Sequence, residues 1–395
     1  RGLGDVYKRQ QESDTWKTEG AVRGYLYSCY GYLPANRTFG NSYWLAEELT
    51  AVTKELFTTF KYGYYSPVSL GFTSNTWSTI WNGIHQCYMF QESLKQVSNE
   101  YVTDEMKKQY LAESNFLIAY YHFLSMRSYG PTMIIRSVID LETPISGFPE
   151  RSSIDEVVAF INEKLDEAMS EGGLPTTWSG KDYGRATRLA ALALKSRVYL
   201  YAASPLYNGN TEMYADFRSP LDGRQLIAQE KSQAKWEISA TQTKYAIDEV
   251  EKAKFHLYHD ADAGEPSDAK PGLPNKAQRR LRYTNIDNQT GNNPEIIWAD
   301  TRNDDYYGIQ RRCPPRQTLG GKFAGISMTN CPTLQTIEAF YTKNGLPINK
   351  DKTFDYDERY EYISAPENCD GNNYEDLVKY ANFTPSSDKA VSYTH

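Results

Sequence analysis

The chain has 395 residues, 40% of them hydrophobic and 24% charged, enough for one large core or two ordinary domains. Its net charge of −7, with no basic run longer than Arg311-Arg312, argues against binding a phosphate backbone, which needs clustered Lys and Arg. No apolar run approaches the ~18 residues of a membrane span, and Cys29, Cys87, Cys313, Cys331 and Cys369 have neither metal-ligand nor C-x-x-C spacing.

In chain order, the opening RGLGDVYKRQ (1–10) and closing AVSYTH (390–395) read like translated sequencing-adapter sequence and are set aside. Residues 11–389 are taken as one domain, a fragment expected to lack both native termini. Leu26-Tyr27-Ser28-Cys29 has the outline of a lipoprotein cleavage box. The stretch before it, Glu12 to Gly24, is polar and charged, so Cys29 is rejected as a lipid attachment point.

From Trp77 the apolar set Trp77, Ile80, Trp81, Ile84, Cys87, Tyr88 and Leu94 predicts an amphipathic helix with one buried stripe. A second helix is expected from Asp104 to Tyr129, apolar on nearly every side between Phe116 and Met126 and stopped by Gly130-Pro131. Ser153 and Glu156 form a capping box ahead of a third, whose inner face is Ile154, Val157, Val158, Ile161, Leu165 and Met169. The fourth, Thr187 to Ala203, is rich in alanine, which lets helix backbones approach closely. Trp236 opens a fifth that carries Ala240, Ile247, Val250, Ala253, Leu257 and Tyr258.

Entry tryptophans, alanines at the crossing and exit tyrosines give these helices the look of degenerate tetratricopeptide units. Gly, Pro, Asp and Asn then mark 260–293 as irregular, Glu295 to Trp298 reads as a short strand, and a loop covers 300–330. Pro332-Thr333 starts a short helix with Leu334, Ile337, Phe340 and Tyr341 inside, ended by Asn344-Gly345. The expected class is mainly α: tetratricopeptide-like helical repeats with a loop-rich second half containing few short strands. The helical scaffold falls at about 77–130 and 153–258, and the loop-rich portion at about 30–76 and 260–389.

Sites for chemistry are sparse. Phosphate-binding glycine loops, H-E-x-x-H and G-x-S-x-G are all absent from the sequence. His256 and His259 lie one helical turn apart and could share a metal, but with no acid at a ligand spacing they are assigned to a helix end. The pairs Glu47-Glu48 and Asp304-Asp305 raise a glycosidase reading, although adjacent carboxylates do not by themselves straddle a glycosidic bond. No metal and no cofactor are expected. The 32 Tyr, 15 Phe and 7 Trp suit a different task, because tyrosine joins an apolar ring to a polar tip and can stack on sugar faces at a wet surface.

An ordered series of segments resembles the SusD/RagB family. It comprises YLAESNFLIAYYHFL (110–124) with RSYGP (127–131), and GRATRLAALALKSRVYLYAASPLY (184–207). Lys235-Trp236-Glu237, NPEIIW (293–298), Pro332-Thr333, NGLPI (344–348) and Asp357-Glu358-Arg359 follow in the family's order. Ile118 departs from it, standing where an arginine is usual. The match runs from about Ser13 to Arg359.

The resemblance implies a surface protein that binds glycan, or another polymer-derived nutrient such as peptide, without performing chemistry. It also implies a lipid anchor on an upstream Cys at the outer membrane and a SusC-like, TonB-dependent transporter as partner. Ligand contacts would fall on loops, at Tyr43 and Trp44; Tyr62, Tyr64 and Tyr65; and Tyr306, Tyr307 and Arg311. Trp77, Trp81, Trp236 and Trp298 are assigned to the core. The competing readings are a tetratricopeptide-type peptide-binding adaptor and a helical-barrel glycoside hydrolase.

Overall fold

The computed structural model describes residues 16–34, 49–51, 73–140, 142–259, 262, 284, 293–302, 330–342 and 344–357. Contacts divide the chain into two compact units, one of residues 1–33 and 72–301, the other of 34–71 and 302–395.

The first unit is helical, and short side chains cap the starts of several of its helices. Thr18 accepts the Ala21 N–H at 3.1 Å and opens α1 (Glu19–Tyr30). The next helix, α2, spans Thr73–Leu94. Thr103 caps α3 (Asp104–Tyr129), and Gly130, at φ 71°, ends it by donating to the Met126 carbonyl. Ser153 and Glu156 complete the expected capping box on α4 (Ile154–Ala168), and Thr187 caps α5 (Arg188–Ala203) by accepting the Ala190 N–H. A short α6 (Thr211–Tyr214) and the long α7 (Gln233–Lys252) follow. Thr132–Met133 (β2) pairs antiparallel with Arg151–Ser152 (β3) and clips the end of α3 to the start of α4.

Helices pack mainly on neighbours in chain order: α1 on α2, α2 on α3, α3 on α4, α4 on α5, and α5 on α7. That succession is the layout of stacked helical repeats, in which each unit buries the apolar face of the next. Helix α3 is the centre. From Phe116 to Met126 all but Tyr120 are buried. Aromatic and β-branched residues weaken a helix by up to about 0.7 kcal/mol each, but burying one contributes roughly 1.5–3 kcal/mol, so packing decides the conformation. Helix α5 is two-faced. Ala191, Leu194, Val198 and Ala202 enter the main core, whereas Leu189 and Leu192 form a smaller cluster with Ala246 of α7.

Three expectations need correction. Helix α7 ends at Lys252, so Ala253, Leu257 and Tyr258 lie beyond it; it turns Ser239 and Ala246 inward at a narrow, partly polar α5–α7 seam closed by a 2.6 Å Ser196–Thr243 hydroxyl contact. Glu295 to Trp298 forms a turn and bend rather than a strand. No strand pairs with it among the described residues, and its polar groups are satisfied locally: Ile296 N–H donates to Asn293 O, and His256 N–H donates to Pro294 O.

The third correction lies in the second unit, where β1 (Leu49–Ala51) pairs antiparallel with β4 (Asn330–Pro332), Leu49 opposite Pro332. Helix α8 (Leu334–Glu338) stops before Phe340 and Tyr341, which are 54% and 63% exposed rather than inside. After it, the Asp351 carboxylate gathers the Thr342 hydroxyl at 2.5 Å, the Asn344 amide at 2.9 Å and the Thr353 hydroxyl at 2.7 Å. These donors, Thr342 foremost, hold the Asp351 carboxyl well below the usual carboxylate range. Gly345, at φ 72°, makes the tight turn that this arrangement closes.

Candidate functional site

Tyr43, Trp44, Tyr62, Tyr64, Tyr65, Tyr306, Tyr307 and Arg311, the expected ligand contacts, lie outside the described residues, as do Glu47-Glu48 and Asp304-Asp305. The tryptophans assigned to the core are half-buried around it. Trp77 packs edge-on against Trp81 at 5.3 Å and Tyr129 at 4.9 Å. Trp298 stands edge-on to Phe116 at 5.1 Å and to Tyr120 at 5.5 Å, and its indole N–H donates to the Gly184 carbonyl. Its ring is therefore spent on packing, as is its polar tip. Trp236 is half-buried at the start of α7.

Beneath this aromatic layer lies a buried polar cluster. Glu113 of α3 is fully buried and accepts the Tyr30 hydroxyl at 2.6 Å, Arg185 Nε at 3.2 Å and Arg185 Nη2. Arg185 also reaches Asp182 at 2.8 Å, and its guanidinium lies 4.0 Å over the Trp178 ring. Tyr30 completes the circuit by accepting the Ala186 N–H at 2.9 Å. Burial pushes the Glu113 carboxyl upward, while Arg185 and Tyr30 favour its charged form. Every partner in this cluster holds another, so it locks α1, α3 and the entry to α5 together rather than presenting a free acid. The sequence singles out Arg185 through its Gly-Arg-Ala-Thr segment, but Glu113, 72 residues away, has no local signal.

A second polar group sits beyond α7. Asp262, which is not among the residues expected with His256 and His259, lies within 3.2 Å of His256 Nε2 and 2.8 Å of His259 Nδ1. The signal was available in the spacing H-x-x-H-x-x-D. Cys29, by contrast, is fully buried inside α1, which agrees with its rejection as a lipid attachment point.

The comparisons with known proteins fit this frame. A family model for SusD-like proteins, described as starch-binding and associating with the outer membrane, matches residues 45–200. The solved structure of BT4246 superposes with a TM-score of 0.67 at 28% identity, over 86% of this chain and 59% of that one. This chain has the fold of SusD-like proteins. The selenomethionine form of BT4246 agrees, with a TM-score of 0.62 at 29% identity over 84% of this chain and 58% of that one.

A SusD-like protein from Bacteroides fragilis, BF3747, shares the fold, with a TM-score of 0.58 at 20% identity over 85% of this chain and 55% of that one. This chain spans less than two thirds of the length of these three structures. Its sequence matches no curated protein. The family's description is that of a binding protein at the outer membrane. Among the described residues no helix is long and apolar enough to cross a membrane. At the departure from the family pattern, Ile118 is fully buried in the core, and the charge that α3 does carry inward, Glu113, finds its cation on Arg185.

Proposed function

We propose that this chain captures glycan at the cell surface and delivers it to a SusC-like, TonB-dependent outer-membrane transporter, without chemistry of its own. The observation that carries the reading is its match to BT4246 over 86% of its length, together with a family description that specifies starch binding at the outer membrane. The helical portion, about 77–130 and 153–258, acts as the rigid frame, and the loop-rich portion, about 30–76 and 260–389, carries the ligand surface. A lipid anchor holds the protein at the outer membrane.

Rings held in place before the ligand arrives spare a flexible glycan part of the ordering cost of association. Tyr43, Trp44, Tyr62, Tyr64, Tyr65, Tyr306 and Tyr307 are the proposed stacking faces, with Arg311 and neighbouring Asn and Asp side chains bonding the hydroxyls. The β1–β4 pairing supports this assignment, because it joins the 49–51 and 330–332 segments that flank the loops bearing these residues. A shallow aromatic surface of this kind gives modest affinity, which suits release into a transporter.

Isothermal titration with soluble starch and with other polysaccharides tests the proposal. Heat with at least one glycan, lost when Tyr43, Trp44, Tyr306 and Tyr307 are changed together to alanine in a chain of unchanged thermal midpoint, is the expected result. Binding that survives those changes defeats the assignment of residues. Release of new reducing ends from the polymer, or binding of peptides alone, defeats the function itself.

A further inference from the structure

We propose that His256, His259 and Asp262 form a binding site for a borderline divalent transition-metal ion such as Zn2+. The three side chains bring one ligand atom each to within 4.8 Å of one another. A tetrahedral ion with bonds near 2.0 Å sets its ligand atoms about 3.3 Å apart. Two of the three pairs already stand close to that separation through one carboxylate oxygen, His256 Nε2 to Asp262 Oδ2 at 3.2 Å and His259 Nδ1 to Asp262 Oδ2 at 2.8 Å. Two imidazoles and one carboxylate are a donor set that favours Zn2+ over Ca2+ or Mg2+, which take oxygen ligands.

The backbone holds both histidines before any ion arrives. Helix α7 ends in a Schellman turn, with Lys254 N–H donating to Glu251 O and Phe255 N–H to Val250 O. The chain leaving it is pinned to the 293–295 turn: His256 N–H donates to Pro294 O at 3.1 Å, and Tyr258 N–H donates to the Glu295 carboxylate at 2.7 Å. Tyr258 is buried while both histidines are exposed, and the two imidazole rings stack at 4.7 Å. Outer partners orient the donors as well. His256 Nδ1 faces the Lys254 carbonyl at 3.4 Å, which leaves Nε2 with its lone pair turned to the ion, and Asp262 accepts the His259 N–H at 2.9 Å. Three protein ligands leave a fourth position for water or a ligand oxygen.

Titration of ZnCl2 into the chelator-treated full chain, followed by calorimetry, tests the site. One tightly bound ion per chain is expected, and it is absent from the His256→Ala/His259→Ala double variant. Asp262→Asn is expected to weaken binding by at least the about 10–100-fold that losing an outer partner costs. Zn2+ should also raise the thermal midpoint of the wild type and leave that of the double variant unmoved, since an ion that binds only the folded state stabilises it. The histidine side chains are 42% and 55% exposed, so the variants spare the core, and an unchanged far-UV spectrum checks this. No heat with Zn2+, equal binding by wild type and double variant, or equal affinity for CaCl2 would each overturn the proposal.

Discussion

Glu113 and Arg185 stand 72 residues apart and meet in a buried ion pair, with Tyr30, Asp182 and Trp178 taking up the remaining bonding capacity of both groups. Desolvating two charges is costly, and a buried pair is worth little against well-packed apolar residues of the same volume. Removing one member is a different matter, because the other is left charged or unpaired in the core.

Arg185→Ala and Glu113→Ala are each expected to destabilise the fold by about 3–5 kcal/mol. The double variant should lose clearly less than the sum of the two, since the second deletion removes the group stranded by the first. Urea titrations of the four chains measure this coupling. Strict additivity would mean that the two side chains do not depend on each other.

Gly83 of α2 faces the ring of Tyr121 on α3 so closely that an added methyl carbon would lie 2.7 Å from it. The ring cannot retreat, being fully buried and tied by its hydroxyl to the Cys29 carbonyl at 2.6 Å. Gly83→Ala therefore sets an overpacking cost of about 1–3 kcal/mol against a helix-propensity gain of about 1 kcal/mol. A lower thermal midpoint is expected. Gly24→Ala on α1, where nothing lies within 4 Å, should raise it. The two melts together separate close approach from propensity, and a Gly83→Ala chain as stable as Gly24→Ala would refute the contact.

What could be read before folding is what depends on neighbours in sequence. Ser153 with Glu156, Thr187 and Gly130 act within one helical turn, so the bounds of α3, α4 and α5 were legible, as was the mainly helical class. Glu295 to Trp298 differs from its sequence pattern because an apolar run of four residues becomes a strand only if a partner supplies hydrogen bonds. Phe340 and Tyr341 were misplaced for a related reason, since apolar spacing marks one face without saying whether another element covers it. Glu113 and Arg185 carry no mark of each other, because tertiary packing alone unites them. Residue type and family position point to the ligand aromatics, which lie outside the described residues.

Lys254 occupies the left-handed region, at φ 73°, where the Schellman turn of α7 calls for glycine. A side chain there costs roughly 1–2 kcal/mol, partly offset because glycine has more freedom to lose on folding. Lys254→Gly is expected to stabilise the chain by up to about 1 kcal/mol. Thermal melts check it, and a lower midpoint would show that the lysine side chain contributes contacts that outweigh its strain.

His122 links stability to pH. Its ring is fully buried between α3 and the segment that follows β2, with Nδ1 2.7 Å from the Ile118 carbonyl and Nε2 accepting the Ile135 N–H at 3.3 Å. Those two partners require the neutral tautomer protonated on Nδ1, because a proton on Nε2 would face the Ile135 N–H. Burial lowers the imidazole from its ordinary 6.5 to about 4. Between these values the unfolded chain takes up a proton that the folded chain refuses, so stability rises with pH across the window. It is complete above about pH 6.5 and falls as the pH drops toward 4, by as much as about 1.4 kcal/mol per unit. Over the whole window the loss is on the order of 3 kcal/mol. His122→Gln should be less stable at neutral pH but show a flatter slope from pH 6.5 to 4, which denaturant titrations at a series of pH values measure. Parallel slopes in the two chains would mean that the wild-type imidazole titrates normally and is open to protons in the folded state.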